Sequence, residues 1–145
     1  MTAPHAAGEI RVPIREEADI AVARRLVREL AIEQGFPENR AAALVTAVSE
    51  IARNIVVHAR AGEVVLGPVA RRERRGVVVV ARNPPPGIPD VEAAMRDGYS
   101  TGSGLGLGLP SARRLVDEFT LTSPPGGGTT VVLTKWADDG CERGP

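Results

Sequence analysis

The chain has 145 residues, 43% of them hydrophobic, which is enough to bury one α/β core and too little for two ordinary domains. Lys and Arg number 18 against 18 Asp and Glu, and aromatic residues make up only 3%, so neither the basic footprint nor the stacking rings of a nucleic-acid binder are present. The opening MTAPHAAGE lacks a signal-peptide pattern, no apolar run reaches membrane-spanning length and the single cysteine, Cys141, has no disulfide partner within the chain; the expectation is a cytoplasmic protein without membrane contact.

Residues 1–8 are read as a flexible N-terminus, 9–136 as one domain and 137–145 as a flexible, polar tail. Glu9 to Ile14 alternates polar and apolar residues and predicts a strand. A helix begins at Asp19 or a neighbour, because Ile20, Ala23, Leu26, Val27, Leu30 and Ala31 recur at three- and four-residue steps, and Gly35 closes it. A second, longer helix is predicted from Glu38 to about Ala59, burying Ala43, Leu44, Ala47, Val48, Ile51 and Ile55 before Gly62 ends it. Glu63 to Ala70 and Gly76 to Ala81 read as a hairpin around the charged turn Arg71 to Arg75, which is taken as solvated. Pro84, Pro85 and Pro86 interrupt regular structure, and Val91 to Asp97 predicts a short helix. Ser111 to Phe119 has helical spacing with Leu115, Val116 and Phe119 facing inward. Thr120 to Thr122 and Thr129 to Lys135 predict two last strands around PPGGG. The elements add up to a mixed, mostly antiparallel sheet with helices on one face, an α/β two-layer sandwich.

Two features carry chemistry. The run GYSTGSGLGLGLP, Gly98 to Pro110, holds glycines at 102, 104, 106 and 108. Such a backbone can bring its N–H groups close to phosphates, and Pro110 suits the first turn of a helix whose dipole favours negative charge. On the second helix Glu50, Asn54 and His58 follow at four-residue steps and share a face, with Arg53 at its edge. A carboxylate followed by an amide can activate a hydroxyl and offer oxygen to Mg²⁺. Alone, the glycines read equally as a flexible loop and the polar stripe as a solvated face; His58 is read as an ordinary helix-face histidine.

The order SEIARN, NPPPGIPD, GYSTGSGLGLGLP and GGGTT, with DGYST, RRLVDEF and TKW between, resembles the GHKL (Bergerat-fold) ATPases, and among them the small serine/threonine kinases of the RsbT type, from about Ile10 to Trp136. The resemblance implies the Bergerat (HATPase_c-like) fold, ATP and Mg²⁺ as ligands, and phosphoryl transfer to a STAS-domain antagonist in a partner-switching pathway, with a PP2C-type phosphatase as a further binding partner. It implies Glu50 as general base, Arg53 as its neighbour in the site and Asn54 as the magnesium ligand. Asn83 takes the place of the adenine-reading aspartate, Gly87 matches a glycine of that box, and Thr129 or Thr130 closes the adenine pocket. The nucleotide contacts of the phosphate lid then fall on Ser100, Thr101, Gly102, Ser103, Gly104, Leu105, Gly106, Leu107 and Gly108. Two departures stand in the adenine box: Asn83 lacks the aspartate's charge, and Pro85 replaces a glycine, fixing φ and removing an N–H. Two other functions share these motifs, a non-catalytic module that docks partners without nucleotide and an anti-sigma factor.

Overall fold

The computed structural model describes residues 9–59, 61–84, 108–124 and 127–138. Its elements are β1 (Ile10–Ile14), α1 (Glu17–Glu33), α2 (Glu38–Asn54), a π-helical turn (Ile55–Ala59), β2 (Gly62–Arg71), β3 (Arg74–Asn83), α3 (Gly108–Leu115), β4 (Glu118–Thr122) and β5 (Thr129–Trp136). The strands form a five-stranded sheet in the order β1-β2-β3-β5-β4, and every pairing among the described residues is antiparallel. The predicted helix over Val91 to Asp97 lies outside the described residues.

Alternation along the strands decides which side of the sheet is covered. Register places Val12, Val64, Ala81, Val131 and Leu121 in one row across the sheet, and Ile10, Leu66, Val79, Leu133 and Phe119 in the next. Both rows belong to the core that also takes Ile20, Ala23, Val27, Leu30 and Ala31 of α1, Leu44, Ala47, Val48 and Ile51 of α2, and Leu109 and Ala112 of α3. The helices therefore lie on one face, as an α/β two-layer sandwich requires. Each fully buried leucine or valine of these rows contributes about 1.5–3 kcal/mol.

The helix ends have local causes. Asp19 is the third residue of α1 rather than its start, and its carboxylate turns back to accept the N–H groups of Arg15 at 2.8 Å and Glu16 at 3.1 Å, which otherwise lack partners. Gly35, at φ 88°, ends α1. The second helix departs from expectation: α geometry stops at Asn54 and a π-turn carries the chain to Ala59, while Gly62 is already in β2. The third helix starts and stops earlier than predicted. From Asp117 the chain is captured by β5, because the Asp117 N–H donates to the Thr134 carbonyl at 3.0 Å and its carboxylate accepts the Trp136 N–H at 2.8 Å. Phe119 consequently belongs to β4 and not to the helix.

The arginine-rich turn is exposed at Arg71, Arg72, Glu73 and Arg75, as expected, but it is shorter than predicted. Only Arg72 and Glu73 form the turn, with Arg72 at the positive φ, 59°, that short hairpins use. Arg71 and Arg74 lie over the ring of the buried Trp136, at 4.9 and 4.7 Å from its centroid. Arg71 also pairs with Glu118 and Arg75 donates to Gln34.

On the sheet's other face Glu63 accepts hydrogen bonds from Arg11 at 2.6 Å and Arg82 at 3.0 Å. Partial burial pushes its carboxyl up, but the hydrogen bonds and charges of the two arginines together outweigh this and hold it below the ordinary 4.5. A carboxylate depressed by folding stabilises fully above its unfolded value, and that contribution is lost as pH falls through the folded value. Glu63→Gln is therefore expected to cost about 0.5–1 kcal/mol at pH 7, a modest amount because both arginines are half exposed, with the difference fading below pH 4.5. Urea denaturation of both proteins at pH 7 and at pH 3 measures it.

Candidate functional site

Glu50 and Asn54 stand one turn apart near the C-terminal end of α2, both half-buried. The Asn54 side-chain N–H donates to the main-chain carbonyl of Glu50 at 3.0 Å. That bond fixes the amide, and its oxygen is the end that can take a hard cation. The Glu50 carboxylate takes no part in the bond. The Asn54 side-chain oxygen is of the type Mg²⁺ accepts, since that ion binds through one or two protein oxygens together with phosphates.

Arg53 points its guanidinium to Glu17 in the first turn of α1, at 2.9 Å, with both side chains largely exposed. It ties α1 to the end of α2. His58 lies in the π-turn that follows Asn54.

The π-turn leads straight to the sheet. Ile55, its first residue, is buried, and its Cγ2 lies 2.8 Å from where a Cβ on Gly62 would stand. The same point is 3.2 Å from the Asn83 Cβ and in collision with the Arg82 carbonyl oxygen. Absence of a side chain at position 62 is what lets the end of α2 close onto the end of β3. Asn83, the last residue of β3, pairs with Thr129, the first of β5. Thr129 is buried, and its Oγ1 is 2.9 Å from the Ser123 Oγ. Thr130 pairs with Arg82 instead and points to the opposite face, so register selects Thr129 of the two threonines. Gly128 lies against the Asn83 carbonyl, leaving no room for a Cβ there.

Of the glycine run, Gly108 is described: it opens α3, with Leu109 and Pro110 buried behind it. Proline in the first turn lacks an N–H that would have no intrahelical acceptor in any case. α3 packs against α2, the helix of Glu50 and Asn54. Pro85, Gly87, Ser100, Thr101, Gly102, Ser103, Gly104, Leu105, Gly106 and Leu107 lie outside the described residues. The structure thus brings Glu50, Asn54, Asn83 and Thr129 to one end of the molecule, where α2, β3 and β5 meet. Sequence reasoning missed Gly62 and Gly128 as points of close approach; a glycine beside a strand end was the available signal.

Residues 13–135 match the histidine kinase-like ATPase domain family. The chain is also 46% identical over 125 residues, covering 86% of it and 94% of the relative, to the serine/threonine-protein kinase RsbT of Bacillus subtilis (strain 168).

Proposed function

The chain belongs to the GHKL ATPases, the family of the histidine kinase-like ATPase domain, as a protein of the RsbT type, and on that premise we propose that it is a kinase that transfers the γ-phosphate of ATP to a serine or threonine of a STAS-domain antagonist in the cytoplasm. Residues 9–136 form the catalytic domain in this reading. The observation that carries it is the similarity to a serine/threonine kinase over nearly that relative's whole length, joined to a carboxylate and an amide one helical turn apart on the helix whose end closes onto Asn83 through Ile55 and Gly62.

The chemistry asks for positioning more than for covalent steps. Glu50 accepts the proton of the attacking hydroxyl, Asn54 would supply an oxygen to Mg²⁺, Asn83, Gly87 and Thr129 hold the adenine, and Ser100 to Gly108 contact the phosphates. Arg53 leaves Glu17 to act on the phosphoryl group or the partner. Bound Mg²⁺ supplies neutralisation of phosphate charge. The product carries about −1.5 to −2 added charges, enough to repel a docked surface and release the partner. The freed kinase then binds a PP2C-type phosphatase.

Incubating the protein with Mg·ATP and a STAS domain encoded beside it, followed by intact-mass measurement, tests the reading: one added phosphate on the STAS domain is expected. Docking of the STAS domain without any mass gain would leave the non-catalytic module, to which Pro85 already points; co-purification of a sigma factor would leave the anti-sigma reading.

Asn83 adds a quantitative expectation. A hydrogen bond to a carboxylate is worth about 1.5–3 kcal/mol against about 1 for a neutral acceptor. Asn83→Asp preserves size beside Gly62 and should tighten Mg·ATP binding about tenfold, measured by calorimetric titration.

A further inference from the structure

We propose that Lys135 is a positioning residue of the nucleotide site, holding α3 by its C-terminal end so that Gly108 to Pro110 keep a fixed place against α2. The proposal rests on the kinase reading above. Lys135 lies on the helix-facing side of β5, opposite Val77, and is buried. Its Nζ donates to the main-chain carbonyl of Leu115, the last residue of α3, at 2.7 Å. Carbonyls of a last helical turn have no intrahelical donor, and a cation there also meets the negative end of the helix dipole.

Burial of this ammonium is unfavourable in itself. Desolvation, and after it the positive charge of Arg40, hold Lys135 below the ordinary 10.5, against the opposing pull of Asp117. A methionine of similar length would avoid that cost. What the lysine adds is a directed bond to one carbonyl, in a corner built to keep it there. Asp117 accepts the Trp136 N–H at 2.8 Å and an Arg40 N–H at 3.0 Å, while Arg40 Nε donates to the Trp136 carbonyl at 2.9 Å. The Asp117 N–H donates to the Thr134 carbonyl, so the residues on both sides of Lys135 are tied to the chain just after Leu115.

The consequence reaches the site through α3 itself. This helix has eight residues, about 12 Å of length, and is too short to hold its place by its own hydrogen bonds. Leu109 and Ala112 seat it against the core at one end, and Lys135 holds the other. A shift at Leu115 moves Gly108 with it, relative to the helix that carries Glu50 and Asn54.

The test uses the full chain, with Mg·ATP affinity from calorimetry and steady-state phosphoryl transfer to the STAS domain. In Lys135→Met the Kd and KM for Mg·ATP should rise about tenfold, the worth of one charge-assisted hydrogen bond. Transfer at saturating Mg·ATP should stay within about twofold of wild type, the pattern of lost binding rather than lost chemistry. Lys135→Arg, which keeps charge and donor, should restore the affinity. Arg40→Met loosens the same corner without removing the bond to Leu115; it should lower Tm and raise the Kd by much less than Lys135→Met does. If Lys135→Met does not fold, Lys135→Gln takes its place, with the same rise expected. Unchanged affinity in Lys135→Met or the Lys135→Gln that replaces it, or losses of affinity that follow Tm equally in the Lys135 and Arg40 variants, would overturn the proposal while wild-type binding upholds the kinase reading. A wild-type protein that binds no Mg·ATP would overturn both.

Discussion

Glu50→Ala is expected to lower phosphoryl transfer to the STAS partner by about 10²- to 10⁴-fold, the range by which a positioned general base accelerates a reaction. Mg·ATP affinity and Tm should hardly move. The reason lies in the hydrogen bonding of α2: Asn54 donates to the main-chain carbonyl of Glu50, which survives removal of the carboxylate. The side chain is also only half-buried, so its truncation opens no closed cavity. Single-turnover transfer with pre-bound Mg·ATP isolates the chemical step, and calorimetry on the same protein reports binding. Transfer retained within about threefold would remove Glu50 from the role of base, since so small a loss is under 1 kcal/mol of barrier.

Gly62→Ala is expected to damage stability and nucleotide binding together. A Cβ at this position would collide with the Arg82 carbonyl, stand 2.8 Å from the Ile55 Cγ2 and crowd the Asn83 Cβ at 3.2 Å. The carbonyl belongs to a central strand that pairs on both sides, so it cannot yield locally. Overpacking of this kind costs about 1–3 kcal/mol, which lowers Tm by several degrees in a domain of this size. Relief comes most readily by moving the π-turn, and that pulls the end of α2 away from Asn83. Thermal unfolding and Mg·ATP titration of the variant, with Glu50→Ala as the comparison, separate the two effects: Glu50→Ala loses transfer alone, and Gly62→Ala loses fold stability and affinity.

The core was legible because burial imposes a period on sequence. Ile20, Ala23, Val27, Leu30 and Ala31, and likewise Leu44, Ala47, Val48, Ile51 and Ile55, are buried where three- and four-residue spacing put them. The pair Glu50 and Asn54 was legible for the same reason. What escaped is tertiary in origin. Ile55 to Ala59 keeps a helical pattern in sequence, and its π geometry accompanies the close contact of Ile55 with Gly62. Leu115, Val116 and Phe119 are spaced for a helix, yet the bonds of Asp117 to Thr134, Trp136 and Arg40 end it at Leu115. The arginines are solvated as read, and what the sequence hid is that Trp136, distant in the chain, offers its ring to Arg71 and Arg74. Thr129 and Thr130 are equivalent as letters and separate only once the pairing of β3 with β5 assigns each to a face.

On the kinase reading, Mg·ATP sits where the end of α2 meets the ends of β3 and β5. Amide chemical-shift mapping during titration with Mg·ATP examines it directly. Saturable shifts at Glu50, Asn54, Asn83, Thr129 and Gly108, with residues of the distant hairpin such as Arg72 and Glu73 unmoved, are the predicted result. Absence of shifts at millimolar Mg·ATP, or saturable shifts confined to the hairpin end of the sheet, would rule that placement out.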